Sequence, residues 1–171
     1  GAALSQANAG DWLLMQNETN NQSYAAATAK TLGLSVGYAA APFDAQAVQA
    51  VMGSLDLLIL NAVEAEQLHQ ATGHSPAQLP VRDIIVTLGA EGCLWYGIEG
   101  QQQFEAIAVE PVDTTGAGDT FTGYVLAGLD RGMPMAQAIS LGIKAAGLMV
   151  TRLGTADVIP DLKDLQDAQL I

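Results

Sequence analysis

Short, wholly apolar runs alternate with stretches in which apolar residues recur three and four positions apart. DWLLMQ (11–16), LSVGYAA (34–40), DLLIL (56–60) and DIIVTLG (83–89) read as buried strands. Between them, YAAATAKTLG after the polar turn NETNNQS, FDAQAVQAVMG and NAVEAEQLHQATG read as helices that close at Gly33, Gly53 and Gly73, the second with Asp44 near its start. Strands apolar on both faces, alternating with helices, predict a mostly parallel sheet in a three-layer α/β/α fold. After Gly89 the pattern changes. CLWYGIEGQQQFEAIAVEPV holds two strand-like runs around the turn IEG, an antiparallel hairpin for the sheet's edge. Helices follow over about 117–131, 134–151 and 161–169, with Gly132, Pro134, Gly154 and Pro160 at the breaks. With no repeat, low-complexity tract or long linker, residues 1–171 read as a single α/β domain.

Composition narrows the partners. Half of the residues are hydrophobic and 14% are charged, as in a chain that buries a core. Lys and Arg total 6 against 18 Asp and Glu, a formal net charge of −12. That balance argues against nucleic acid and anionic membranes as partners. A phosphate-bearing ligand would have to be held by backbone amides, helix ends and metal ions. Cys93 is the sole cysteine, so a disulfide framework is excluded and a buried apolar role is expected. No apolar run reaches a membrane span and the first residues do not read as a leader, so the expected compartment is the cytoplasm. His69 and His74 lack metal-ligand spacing and read as ordinary helix-end and turn residues.

In an open parallel sheet, ligands bind beyond the carboxyl ends of the strands. Three segments stand there: LILNAVEAE with Asn61 and Glu64, IVTLGAEG with Thr87, Gly89 and Gly92, and VDTTGAGD with Asp113 and Asp119. In the last, Gly116, Ala117 and Gly118 have little or no side chain, so their amides and the following helix end can form an anion hole. Asp119 beside such a hole can accept a proton from an attacking hydroxyl, or it can simply cap the helix. Glu64 can hold Mg²⁺ through water near a triphosphate, or the pair Asn61 and Glu64 can be a polar strand end and a solvated helix face. Thr87 to Gly92 can border a ligand or be a tight turn. Neither a Walker loop nor a dinucleotide fingerprint is present.

At these residues the chain resembles the ribokinase-like family of carbohydrate kinases, and its ribokinase branch most. DTTGAGDTF matches the family's second signature, NAVE its N-x-x-E motif and TLGAEG its nucleotide-loop motif, in order. LLMQNE and AAGLMVTRLGTADVIP extend the likeness over the whole length. The resemblance implies a Rossmann-like ribokinase fold and ATP-dependent phosphorylation of a sugar hydroxyl, ribose first. Asp119 would be the general base, and the amides of Gly116, Ala117 and Gly118 would stabilise the transferring phosphoryl group. Asn61 and Glu64 would organise phosphate and Mg²⁺. Thr87, Leu88, Gly89, Ala90, Glu91, Gly92 and Ile143, with Gly118, would border ATP or ADP. A monovalent cation, K⁺, is implied at Asp113, Thr115, Met149, Arg152, Gly154 and Val158. Leu60 stands where the family usually has proline. The family's chains are longer, so the resemblance implies that the amino-terminal portion is absent. That portion would carry most sugar contacts and the lid through which the complete enzyme would form a homodimer, and the chain alone is expected to be inactive.

Overall fold

The computed structural model describes residues 4–171, which divide into two compact units. One holds the chain up to Leu88 with Leu94–Gln103; the other holds Gly89–Cys93 with Phe104–Ile171.

The first unit is built on strands β1 (Trp12–Gln16), β2 (Ser35–Ala39), β3 (Leu57–Asn61) and β4 (Asp83–Thr87), with β5 (Cys93–Gly97) and β6 (Gly100–Phe104) completing the order β1-β2-β3-β4-β5-β6. β1 to β4 pair in parallel, with Gln16 opposite Ala39, Ala39 opposite Ile59, and Asn61 opposite Thr87. Helices α1 (Gln22–Thr31), α2 (Ala45–Val51) and α3 (Ala62–Thr72) are the crossovers. Because each strand pairs with the next in sequence, right-handed crossovers put all three helices on one face. The core agrees with this. Ala26, Ala29, Val48, Val51, Ala65 and Leu68 of the helices meet Val36, Tyr38, Leu58, Leu60, Ile84 and Val86, every second strand residue. The residues between them, Leu57, Ile59 and Ile85, are buried as well, which is why these strands read as continuous apolar runs. Each fully buried leucine is worth roughly 2 kcal/mol of transfer free energy.

Polar groups set where the elements start. The Asp44 carboxylate accepts from the amides of Gln46 and Ala47 and caps α2, and Gly73 in the left-handed region ends α3. At the amino edge of the sheet, Lys30 Nζ reaches both oxygens of Asp56 at 2.9 and 2.8 Å, and the Val36 amide donates to the same carboxylate at 2.8 Å. Two residues, Ile98 and Glu99, join β5 to β6 as a hairpin.

The second unit is a helix pair. α4 (Ala117–Asp130) and α5 (Met135–Met149) pack antiparallel through small residues, followed by α6 (Leu162–Asp167). A side chain at Gly128 would lie 3.0 Å from the Cβ of Ala138, and one at Gly142 would press on Val125 and Phe121. Here the abundance of glycine and alanine sets the helix spacing.

Two boundaries differ from the pattern reading. α1 begins at Gln22, inside the stretch expected to be a polar turn, because Gln22 is buried rather than solvated. The second hairpin run ends at Phe104 although FEAIAV is apolar. Beyond it the chain leaves the sheet, and Ile107 fills the space over Gly147 of α5.

Candidate functional site

The first unit brings Asn61, Glu64 and Thr87 together. Asn61 ends β3 and caps α3, and Thr87 is its partner across the parallel ladder. The Asn61 side-chain oxygen accepts from the Glu64 amide at 2.9 Å, and Glu64 Oε2 accepts from the Asn61 amide at 2.8 Å. This reciprocal capping box gives both residues a structural duty, so the helix-start reading of NAVE holds. It occupies one carboxylate oxygen only. Burial raises the Glu64 pKa, against the lowering effect of the Asn61 amide. The Thr87 hydroxyl donates to the Leu60 carbonyl at 3.4 Å, and Leu88 packs against the core.

The same carboxyl edge carries a feature absent from the pattern reading. Gln22 Nε2 reaches the carbonyls of Gln16 and Thr19 at 2.8 and 2.9 Å, and its Oε1 accepts from the buried Tyr38 hydroxyl at 2.9 Å. Asn17 donates from its amide to Ala41 O and from Nδ2 to Pro42 O, both at 3.0 Å. The loops after β1 and β2 are thus tied by side-chain amides. Only the burial of Tyr38, whose hydroxyl needs a partner, could have hinted at this.

In the second unit, Gly89–Glu91 form one 3₁₀ turn closed by the Gly92 amide on Gly89 O. Gly92 has φ +92°, and a Cβ there would fall 1.9 Å from the Phe104 carbonyl. Glycine is therefore obligatory at position 92 on packing grounds alone. Ala90 and Glu91 are exposed, and Ile143 is half-buried on α5.

The turn from Asp113 to Asp119 is held at both ends. The Asp113 carboxylate accepts from the Thr115 amide at 2.9 Å. Hydrogen bonds from Thr115, and from the Gly154 amide, hold its pKa below the usual carboxylate range. Val150 O accepts from the amides of Val112 and Asp113 at 2.7 and 3.1 Å. Gly116, at φ +79°, is the cap residue of α4, and no side chain caps that helix. Asp119 is therefore not the cap. It stands exposed in the first turn, where the helix dipole favours a carboxylate. Of the three amides expected in the anion hole, that of Ala117 is committed to Thr114 O at 3.2 Å, because the turn closes on itself there. Gly116 and Gly118 remain as the candidates.

Of the residues expected around a cation, the Asp113 carboxylate already accepts from the Thr115 amide. The Met149 carbonyl accepts from the Arg152 amide at 2.9 Å, and the Val158 carbonyl from Arg152 Nη1 at 3.2 Å. Arg152 also pairs with Asp164 at 3.1 Å. Two of the expected carbonyls thus already have a donor. Cys93 is buried with its pKa pushed up to about 11, which leaves the thiol protonated and unreactive. Among the described residues, no three of His, Cys, Asp or Glu gather as a metal cage, and no helix is long and apolar enough to cross a membrane.

A family model described as pfkB family carbohydrate kinase matches residues 5–162. Among curated proteins, the ribokinase of Lactococcus lactis subsp. lactis is 37% identical over 83 residues, which are 48% of this chain and 28% of that one. Among solved structures, the ribokinase of Thermotoga maritima superposes with a TM-score of 0.83 at 29% identity, over 97% of this chain and 58% of its own. A double-mutant fructokinase of Vibrio cholerae, solved with fructose, ADP and potassium ion bound, gives a TM-score of 0.79 at 24% identity, over 96% and 63%. The chain thus spans less than two thirds of the length of these relatives.

Proposed function

Since the chain belongs to the pfkB family of carbohydrate kinases, we propose that its protein transfers the terminal phosphoryl group of ATP to a sugar hydroxyl, ribose in the first instance, with Asp119 as general base. The observation that carries this reading is the Asp113–Asp119 turn, in which the Asp113 carboxylate accepts from the Thr115 amide and Asp119 lies exposed in the first turn of α4. In the reaction the sugar oxygen attacks the γ-phosphorus, its proton passes to the Asp119 carboxylate, and the bond to the β-phosphate oxygen breaks to leave ADP. The amides of Gly116 and Gly118 at the α4 amino end stabilise the transferring group.

Asn61 and Glu64 would organise the phosphates, and the carboxylate oxygen of Glu64 outside the capping box would hold Mg²⁺ through water, supplying positive charge at the phosphates. The segment Thr87, Leu88 and Gly89–Gly92, with Ile143, borders the nucleotide. The carboxylate of Asp113 and the carbonyls of Thr115, Met149, Arg152, Gly154 and Val158 are hard oxygen donors, a chemistry that fits K⁺. When bound, these cations add positive charge to a phosphate site otherwise built from backbone.

The test is ATP consumption by the complete protein against a panel of ribose, fructose and nucleosides, with and without K⁺. Turnover is expected with a sugar and stimulated by K⁺, and ribose is expected to give the highest kcat/KM. No sugar-dependent turnover with any member would overturn the reading. Because this chain covers 58% of the Thermotoga maritima ribokinase, a second reading is that it serves alone as a nucleotide-binding module. Calorimetry on the chain separates the two: ADP binding without sugar phosphorylation supports the module, and phosphorylation refutes it.

A further inference from the structure

The thioether of Met149 has an unusual partner. It is the last residue of α5, almost fully buried, and its Sδ is the partner of the equally buried Thr120 hydroxyl. Thr120 directly follows Asp119 on α4. The methyl of the same side chain lies 3.0 Å from where a Cβ on Gly116 would sit, so it fills the space beneath the left-handed turn. The next residue, Val150, takes the amides of Val112 and Asp113 on its carbonyl. Two consecutive residues at the end of α5 therefore hold both flanks of the Asp113–Asp119 turn. Sulfur is a weak acceptor, and a buried hydroxyl without a partner is costly. The pair is thus more than apolar filling.

We infer that the Met149 side chain is a positioning residue, which fixes the first turn of α4, and with it Asp119 and the amides of Gly116 and Gly118, through its bond to Thr120. The assignment rests on the reading of Asp119 as the base, but the latch is measurable without it. Leucine at position 149 keeps the volume and removes the acceptor, valine at 120 keeps the shape and removes the donor, and serine at 120 keeps the hydroxyl.

The experiment compares Met149→Leu, Thr120→Val, the double variant and Thr120→Ser in the complete protein, by amide hydrogen exchange over 114–121 and by steady-state kinetics. Met149→Leu and Thr120→Val are each expected to speed exchange in that segment alone. Each should lower kcat by about tenfold with KM for ATP kept within about twofold, short of the ~100-fold that a 1 Å misplacement can cost. The double variant should be no worse than either single one, and Thr120→Ser should behave as the parent. Additive losses, or a Thr120→Val protein with parental exchange and kinetics, would overturn the latch. If the parent protein phosphorylates no sugar, the kinase reading falls, while the exchange data still decide the latch.

Discussion

At the scale of single residues, Asp113 and Asp119 show how backbone context separates two identical side chains. The Asp113 carboxylate accepts from the Thr115 amide, and hydrogen bonding to Thr115 is the main cause that holds its pKa below the usual carboxylate range, which makes it a poor proton acceptor. Asp119 lies past the glycine turn, exposed on the first turn of α4. Replacing Asp119 by asparagine keeps size and polarity and removes the basic group. Asp119→Asn in the complete protein is expected to lower kcat by roughly 10²- to 10⁴-fold, with ADP affinity by calorimetry unchanged. Parental turnover would remove Asp119 from the role of base. The acids of VDTTGAGD were legible as candidates from their flanking of small residues. That neither acid caps α4, that Asp113 accepts from the Thr115 amide and that the Ala117 amide is already committed depended on how the turn closes, and residue types do not encode that.

At the scale of elements, mutation can separate the capping duty at the start of α3 from the one proposed for Glu64 toward Mg²⁺. Asn61→Ala removes the cap and is expected to cost about 1 kcal/mol by urea denaturation. Glu64→Gln keeps a capping-box side chain, so stability should stay within about 0.5 kcal/mol of the parent. If Glu64 faces Mg²⁺, the same variant should raise the Mg²⁺ concentration needed for half-maximal turnover. An unchanged Mg²⁺ dependence would leave the capping box as its whole role.

The start of α6 makes a pH prediction. The side-chain hydrogen bond from Arg152, and then the Asp161 amide, hold the Asp164 pKa below the usual carboxylate range. A pKa lowered by folding contributes stability that is present above the unfolded value and lost as pH falls through the folded one. Amide exchange in α6 is therefore expected to rise as pH drops below the ordinary carboxylate range, after correction for intrinsic rates, and Asp164→Asn should remove that extra rise. A pH-independent opening of α6 would contradict the assignment.

At the scale of the molecule, β1 is the first strand of the sheet order and pairs on one side, with β2. Leu14, at its centre, is exposed. An edge strand with an exposed apolar side chain is a template for another strand. The chain on its own is expected to self-associate at high concentration, as measured by sedimentation velocity, and Leu14→Lys should shift it toward monomer. A clean monomer in the parent would show that this edge is protected.

The order of the elements follows from the sequence by itself, because a fully buried parallel strand must be apolar throughout, a crossover helix must be apolar on one stripe, and glycine and proline punctuate what neither can contain. The same logic placed Asn61 and Thr87 at strand ends, but it also put the 113–119 turn at one, whereas the last strand ends at Phe104 and that turn leads into α4 from a segment that has left the sheet. Tertiary structure alone decided which duties those residues carry. The capping box of Asn61 and Glu64 is local, whereas the tertiary structure tied Gln22 to Tyr38 and set Met149 under Gly116. Such pairings join residues far apart in the chain through single hydrogen bonds or single close contacts. The periodicity of apolar positions records only which side of an element faces inward, not which atom it meets there.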